Sequence, residues 1–106
     1  MFNSKFKKIA IVLSVVVGFF AATSATAGDA AAGKTKAAAC AGCHGVAGIS
    51  AIPNFPNLAG QKSAYLAKQL KAFRDKTRAD PTMAAIAGPL TDADIDDLSA
   101  YFESLK

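Results

Sequence analysis

Cys40-Ala41-Gly42-Cys43-His44 gathers both cysteines and the single histidine of the 106-residue chain into five positions. Two thiols three residues apart lie on one side of a helical turn, where each can form a thioether with a vinyl group of a haem. The next residue then falls beneath the iron. The spacing therefore predicts one covalently attached c-type haem on Cys40 and Cys43, with His44 as the proximal iron ligand. Three rival chemistries fit less well. A thioredoxin-like couple needs a βαβ setting, and no β-rich run follows residue 27. Structural zinc wants four ligands, and the chain has no further Cys or His to supply them. A disulfide across so short a spacing is strained.

Met83 is the second residue whose type suggests chemistry. It is the one methionine besides Met1. A thioether is a soft ligand that suits haem iron opposite a histidine, and Met/His ligation raises the reduction potential. With no second histidine in the chain, Met83 is the expected sixth ligand. The alternative is a methionine that fills a gap in the core.

The elements that must position these residues begin after an address. Lys5, Lys7 and Lys8 form a positive start, residues 9–22 are almost unbroken apolar sequence, and Ala25-Thr26-Ala27 supplies the small-residue pattern of secretory cleavage. The apolar run falls short of the ~20 residues that span a bilayer, so cleavage after residue 27 is expected, with no stable membrane insertion afterwards. Export suits c-type haem, which is attached outside the cytoplasm. Removing 27 of 106 residues leaves a single domain of 79, residues 28–106. A chain that small buries too little surface to be comfortably stable unaided, and a large flat apolar cofactor meets that need. Three of the twelve basic residues lie in the leader, which leaves nine against eight acidic ones. A nearly neutral domain gives nucleic-acid binding no electrostatic support.

The fold class read from this domain is all-α, with three main helices and loops around one haem. Asp29 is a good N-cap for an alanine-rich helix over 30–39 that runs into the cysteine motif. Glycines and prolines make 45–60 a loop. Leu66, Leu70 and Phe73 recur at helical spacing within 62–76, with Lys68 and Lys71 opposite them, most simply as a solvated face. Pro81, Gly88 and Pro89 make 77–89 read as a loop carrying Met83. Thr91 can cap a last helix whose stripe is Ile95, Leu98, Tyr101, Phe102 and Leu105, with Asp92 and Asp94 at its positive end. The bulky stripe complements the small face of the first helix, which predicts a crossing of Tyr101 or Phe102 near Gly33 and Ala37. Leu58, Leu66, Leu70 and Ile86 are the expected lining of the cofactor pocket.

Taken in order, these residues resemble a class I cytochrome c, similar to small bacterial cytochromes of the c-553 type and to single halves of periplasmic dihaem cytochromes. Gly28-Asp29-Ala30 leads to the CxxCH motif and Gly45. Pro56-Asn57-Leu58-Ala59-Gly60-Gln61 follows with Tyr65, Leu66, Gln69 and Leu70, then Met83, Leu90-Thr91-Asp92, Asp94-Ile95 and Tyr101. The resemblance covers nearly all of 28–106. It implies that Pro56 offers its carbonyl to the other nitrogen of His44, an outer contact that fixes the imidazole. It also implies a periplasmic, monomeric one-electron carrier and not an enzyme, working between redox donor and acceptor proteins such as membrane respiratory complexes. With one CxxCH motif the chain holds one haem, whose edge near Cys40 and Cys43, bordered by Ala41, Gly45, Val46, Ala47 and Ile49, is the expected docking patch. Two other readings are a haem c subunit of a periplasmic dehydrogenase and a haem-based ligand sensor.

Overall fold

The computed structural model describes residues 28–105, together with Ser14 and Gly18, so the leader expected at 1–27 lies essentially outside the described residues. Among the described residues five helices form: α1 Ala30–Lys36, α2 Ala38–His44, α3 Ser63–Arg74, α4 Pro81–Ala87 and α5 Asp92–Ser104. The fold is all-helical among the described residues, as expected. The alanine-rich run that reads as one helix is two, joined at Ala37, which closes α1 with its N–H on the Gly33 carbonyl.

The start of each helix follows from local chemistry. Asp29 is extended, and its carboxylate accepts the N–H groups of Ala31 and Ala32, satisfying donors that α1 leaves open. Thr91 and Asp94 make a reciprocal capping box at the head of α5. Where α3 ends, Lys76 adopts φ 61° and the Thr77 N–H returns to the Ala72 carbonyl at 2.9 Å. That closure is a Schellman turn with lysine where glycine is usual, and for that reason it left little trace in the sequence.

One expectation is corrected. Residues 77–89 are not a loop throughout, because Pro81–Ala87 is helical and Met83 is its third residue. Proline at the first helical position loses no bond, since that N–H has no partner in any helix. Asp80 caps the start and Gly88 closes the end, so the residues that resemble breakers bracket a short helix.

The core sits where α5 meets α1 and α3. Ile95, Leu98 and Phe102 are all but fully buried, and Ala37, Leu66, Leu98 and Phe102 form one cluster with Cys40, Leu58 and Leu70 against it. Gly33 lets α1 and α5 approach closely. A methyl group there would enter the shell of the Asp97 carbonyl and lie 2.8 Å from Cβ of Tyr101. The small-on-bulky crossing anticipated for these helices is therefore present. Ile86, in contrast, is 39 % exposed. Met83 and Ala87, one turn apart, share the inward face of α4, while Ile86 lies at its edge.

Charge ties the same crossing together. Lys36 Nζ on α1 lies 2.8 Å from Asp94 and 2.6 Å from Asp97 on α5, and Asp97 also accepts the Asp29 N–H. The Lys36 ammonium, helped by Thr91, holds the Asp94 carboxyl down from its ordinary 3.8 to about 2. Asp97 is lowered by Lys36 and by the Asp29 N–H. Since the folded state has the lower pKa, the stabilisation is complete above pH ~4 and is lost as pH falls through about 2. Thermal melts should therefore hold steady with respect to this cluster from pH 7 to 5 and decline below pH ~4. Lys36→Gln should flatten that decline; an unchanged acid limb would mean the pair contributes nothing.

Candidate functional site

The cysteine motif occupies the last five of the seven residues of α2, so local helix geometry sets its spacing. Cys40 is half-buried and packs on the core cluster, Cys43 is exposed, and the two are not joined to each other. Burial raises the pKa of the Cys40 thiol. His44 ends the helix and is 7 % exposed.

The loop over 45–62 positions that histidine. Gly48, at φ 72°, turns the chain so that its carbonyl accepts the N–H groups of Leu58 and Ala59 at 2.8 and 3.0 Å. Ser50 N–H donates to Asn57 Oδ1 at 2.7 Å, and Gly60 N–H donates to the Phe102 carbonyl at 2.8 Å, which anchors the loop on α5. Phe55 meets the His44 ring edge-on with centroids 6.0 Å apart. His44 Nδ1 lies 2.8 Å from the Pro56 carbonyl. A carbonyl only accepts, so Nδ1 carries the proton, and in the neutral ring Nε2 keeps its lone pair. Nε2 has no hydrogen-bond partner among the described residues.

This donor set fits a haem. The motif presents two thiols on one turn and a buried imidazole whose tautomer leaves Nε2 ready to bind iron. No group of three or more His, Cys, Asp or Glu among the described residues could hold a separate metal ion. An open concavity of about 500 Å³ lies against Lys76, Arg78, Asp80 and Pro81, and it shares no lining residue with the motif.

Cys40, Cys43, His44 and Pro56 are thus brought together by α2 and the loop that follows it. Met83 is on α4, which packs on α3, and is half-buried. Its N–H donates to Asp80 Oδ1 at 2.9 Å. Sequence reasoning missed Phe55, Asp80 and Arg74. Asp80-Pro81 was legible as an N-cap followed by proline at the first helical position. Nothing local marks Phe55, or Arg74 as the side chain that reaches the Leu90 carbonyl at 3.3 Å and the Asp92 carboxylate at 2.8 Å.

Comparison with known proteins gives the same reading. The family model described as cytochrome c matches residues 30–106. Cytochrome c4 of Pseudomonas aeruginosa is 44 % identical over 80 residues, 76 % of this chain and 40 % of that protein. Cytochrome c-554(548) of Halomonas halodenitrificans is 44 % identical over 81 residues, 74 % of this chain and 98 % of that one. Among solved structures, reduced recombinant cytochrome c4 from Pseudomonas stutzeri superposes with a TM-score of 0.72 at 45 % identity, covering 76 % of this chain and 47 % of its own. Thiosulfate dehydrogenase from Marichromatium purpuratum superposes with a TM-score of 0.67 at 36 % identity, over 73 % of this chain and 19 % of that one. The chain spans under half the length of the two cytochrome c4 proteins. A CxxCH helix, an imidazole set by a loop carbonyl and a family match over most of the chain have one meaning: this protein belongs to the cytochrome c family and binds one covalent c-type haem.

Proposed function

We propose that the protein is a periplasmic one-electron carrier in which Cys40 and Cys43 bear the haem and His44 and Met83 hold the iron from opposite sides. The observation that carries this reading is the 2.8 Å bond from His44 Nδ1 to the Pro56 carbonyl, which presents Nε2 as a ligand. When bound, the haem supplies an Fe(II)/Fe(III) couple, and the protein contributes orientation, burial and charge. If Met83 as well as His44 held the iron, no position would be left for a substrate, which favours carrying electrons over catalysis. Export after cleavage at Ala27 places the domain in the periplasm as a monomer, and among the described residues no helix is long and apolar enough to cross a membrane.

Donor and acceptor proteins, respiratory complexes among them, would dock on the loop beside the motif. Val46 is 89 % exposed and Ile49 63 %, on a stretch over 45–61 that contains no charged residue. Small, weakly held interfaces are usual for redox encounters. The likeness to thiosulfate dehydrogenase supports a second reading, a haem c subunit of a periplasmic dehydrogenase. Copurification of a catalytic chain from the native host would favour that reading.

Optical spectra of the exported protein in both redox states test the ligand set. The ferric form should show the weak long-wavelength band of methionine ligation. Met83→Ala should retain haem, lose the band, bind carbon monoxide when reduced, and lower the potential by on the order of 0.1 V, since axial ligands move haem potentials over roughly 0.8 V. An unaltered spectrum and potential would reduce Met83 to a packing residue and bring the ligand-sensor reading forward.

A further inference from the structure

We propose that Asp80 is the positioning residue for Met83, and that its hydrogen bond sets how long this methionine stays at its post. The proposal rests on the reading of Met83 as an axial ligand. Helix α4 has seven residues, too few to persist on helix propensity alone. Burial does little to hold it, because Ala87 is its one fully buried residue and Met83 is half-buried. Its ends must therefore be fastened.

The two ends are fastened differently. Beyond Gly88 the chain is tied to the rest of the fold, because Arg74, in the last turn of α3, grips the Leu90 carbonyl and Asp92. At the start, Pro81 has no N–H to offer, and Asp80 closes the first turn alone. Its carbonyl accepts the Ala84 N–H at 2.8 Å, and its carboxylate accepts the N–H of Met83 itself at 2.9 Å. Asp92, Asp94 and Asp97 are each paired with a cation, whereas among the described residues the Asp80 side chain makes no ion pair. The Met83 N–H is its one hydrogen-bond partner there. Since α4 contributes a single residue to the buried set, it can open without unfolding the α1, α3 and α5 core, and Asp80 controls that local opening.

Loss of such a cap multiplies the open population about fivefold. The test uses the ferric holoprotein and follows imidazole uptake through the shift of the main haem absorption, which can be read in every variant, Met83→Ala included. Asp80→Ala should take up imidazole about fivefold faster and more tightly than the parent. Asp80→Asn keeps an accepting oxygen at the same place and should stay within about twofold of the parent. Asp80→Glu keeps the charge but displaces the oxygen, and should behave as Asp80→Ala does. Thr91→Ala removes an equivalent cap from α5, a helix without an iron ligand. It should lower the thermal midpoint as Asp80→Ala does, yet leave imidazole uptake unchanged. Parental uptake in both Asp80→Ala and Asp80→Glu, or equal acceleration in Thr91→Ala, overturns the positioning role. If Met83→Ala takes up imidazole no faster than the parent, the axial-ligand reading itself falls, a result separable from failure of the Asp80 role.

Discussion

Replacing both Cys40 and Cys43 by Ala is expected to produce a chain that carries no haem and has little fixed tertiary structure. The domain expected over residues 28–106 has 79 of the 106 residues. A domain of that length has a total stability of roughly 4–12 kcal/mol, a small difference between large opposing terms. Its buried apolar set among the described residues is Ala37, Leu66, Phe73, Ala87, Ile95, Leu98 and Phe102, two of which are alanines. Cys40 packs on that cluster, so a haem carried there would extend the core, and its loss would remove a large apolar partner from a domain with few of its own. The expected deficit is on the order of the whole stability. Intact mass of the exported variant should equal the bare cleaved chain, near-ultraviolet circular dichroism should be weak, and melting should be broad. Cooperative melting close to the parent's midpoint would show that the polypeptide folds without its cofactor.

Gly33→Ala is the second large effect, and its sign is opposite to what helix propensity suggests. In an exposed helix interior this substitution stabilises by about 1 kcal/mol. At Gly33 the added methyl would collide with the Asp97 carbonyl and lie 2.8 Å from Cβ of Tyr101, and one obstacle is backbone that no rotamer change can move. Helices α1 and α5 must then separate, which loosens Ala37 from Leu98 and Phe102 and stretches the Lys36 bridge to Asp94 and Asp97. Overpacking of this kind costs about 3 kcal/mol, so the collision outweighs the propensity gain. The midpoint should fall by roughly 10–20 °C. A midpoint equal to or above the parent's would mean that the crossing tolerates a wider spacing than its geometry implies.

Much of the site was legible because it is local. CxxCH places its thiols and imidazole on a single helix, and the caps Asp29 and Thr91 act on N–H groups two or three residues away. Hydrophobic spacing over 62–76 and after Thr91 was long enough to mark α3 and α5, whose stripes pack as the periodicity implied. Helix α4 was missed because seven residues with Pro and Gly at the borders give too short a window for periodicity to speak, while capping, which was present in Asp80-Pro81, was overlooked.

Alone, the sequence determined the cofactor and the all-helical class and put both thiols and the imidazole on one short stretch, since each depends on residue identity and on spacings within a turn or a helix. The tertiary structure decided which carbonyl meets His44, how closely α1 and α5 approach, and that Arg74 reaches from α3 to Leu90 and Asp92 beyond the Met83 segment. These are contacts across chain reversals or between elements: twelve residues separate His44 from Pro56, and sixty-one separate Lys36 from Asp97. The Pro56 carbonyl was expected on the strength of a resemblance, not of local pattern. The physical reason is that a loop's conformation is set by where its ends are anchored and by turns such as the one at Gly48, and those are fixed only once the helices have packed.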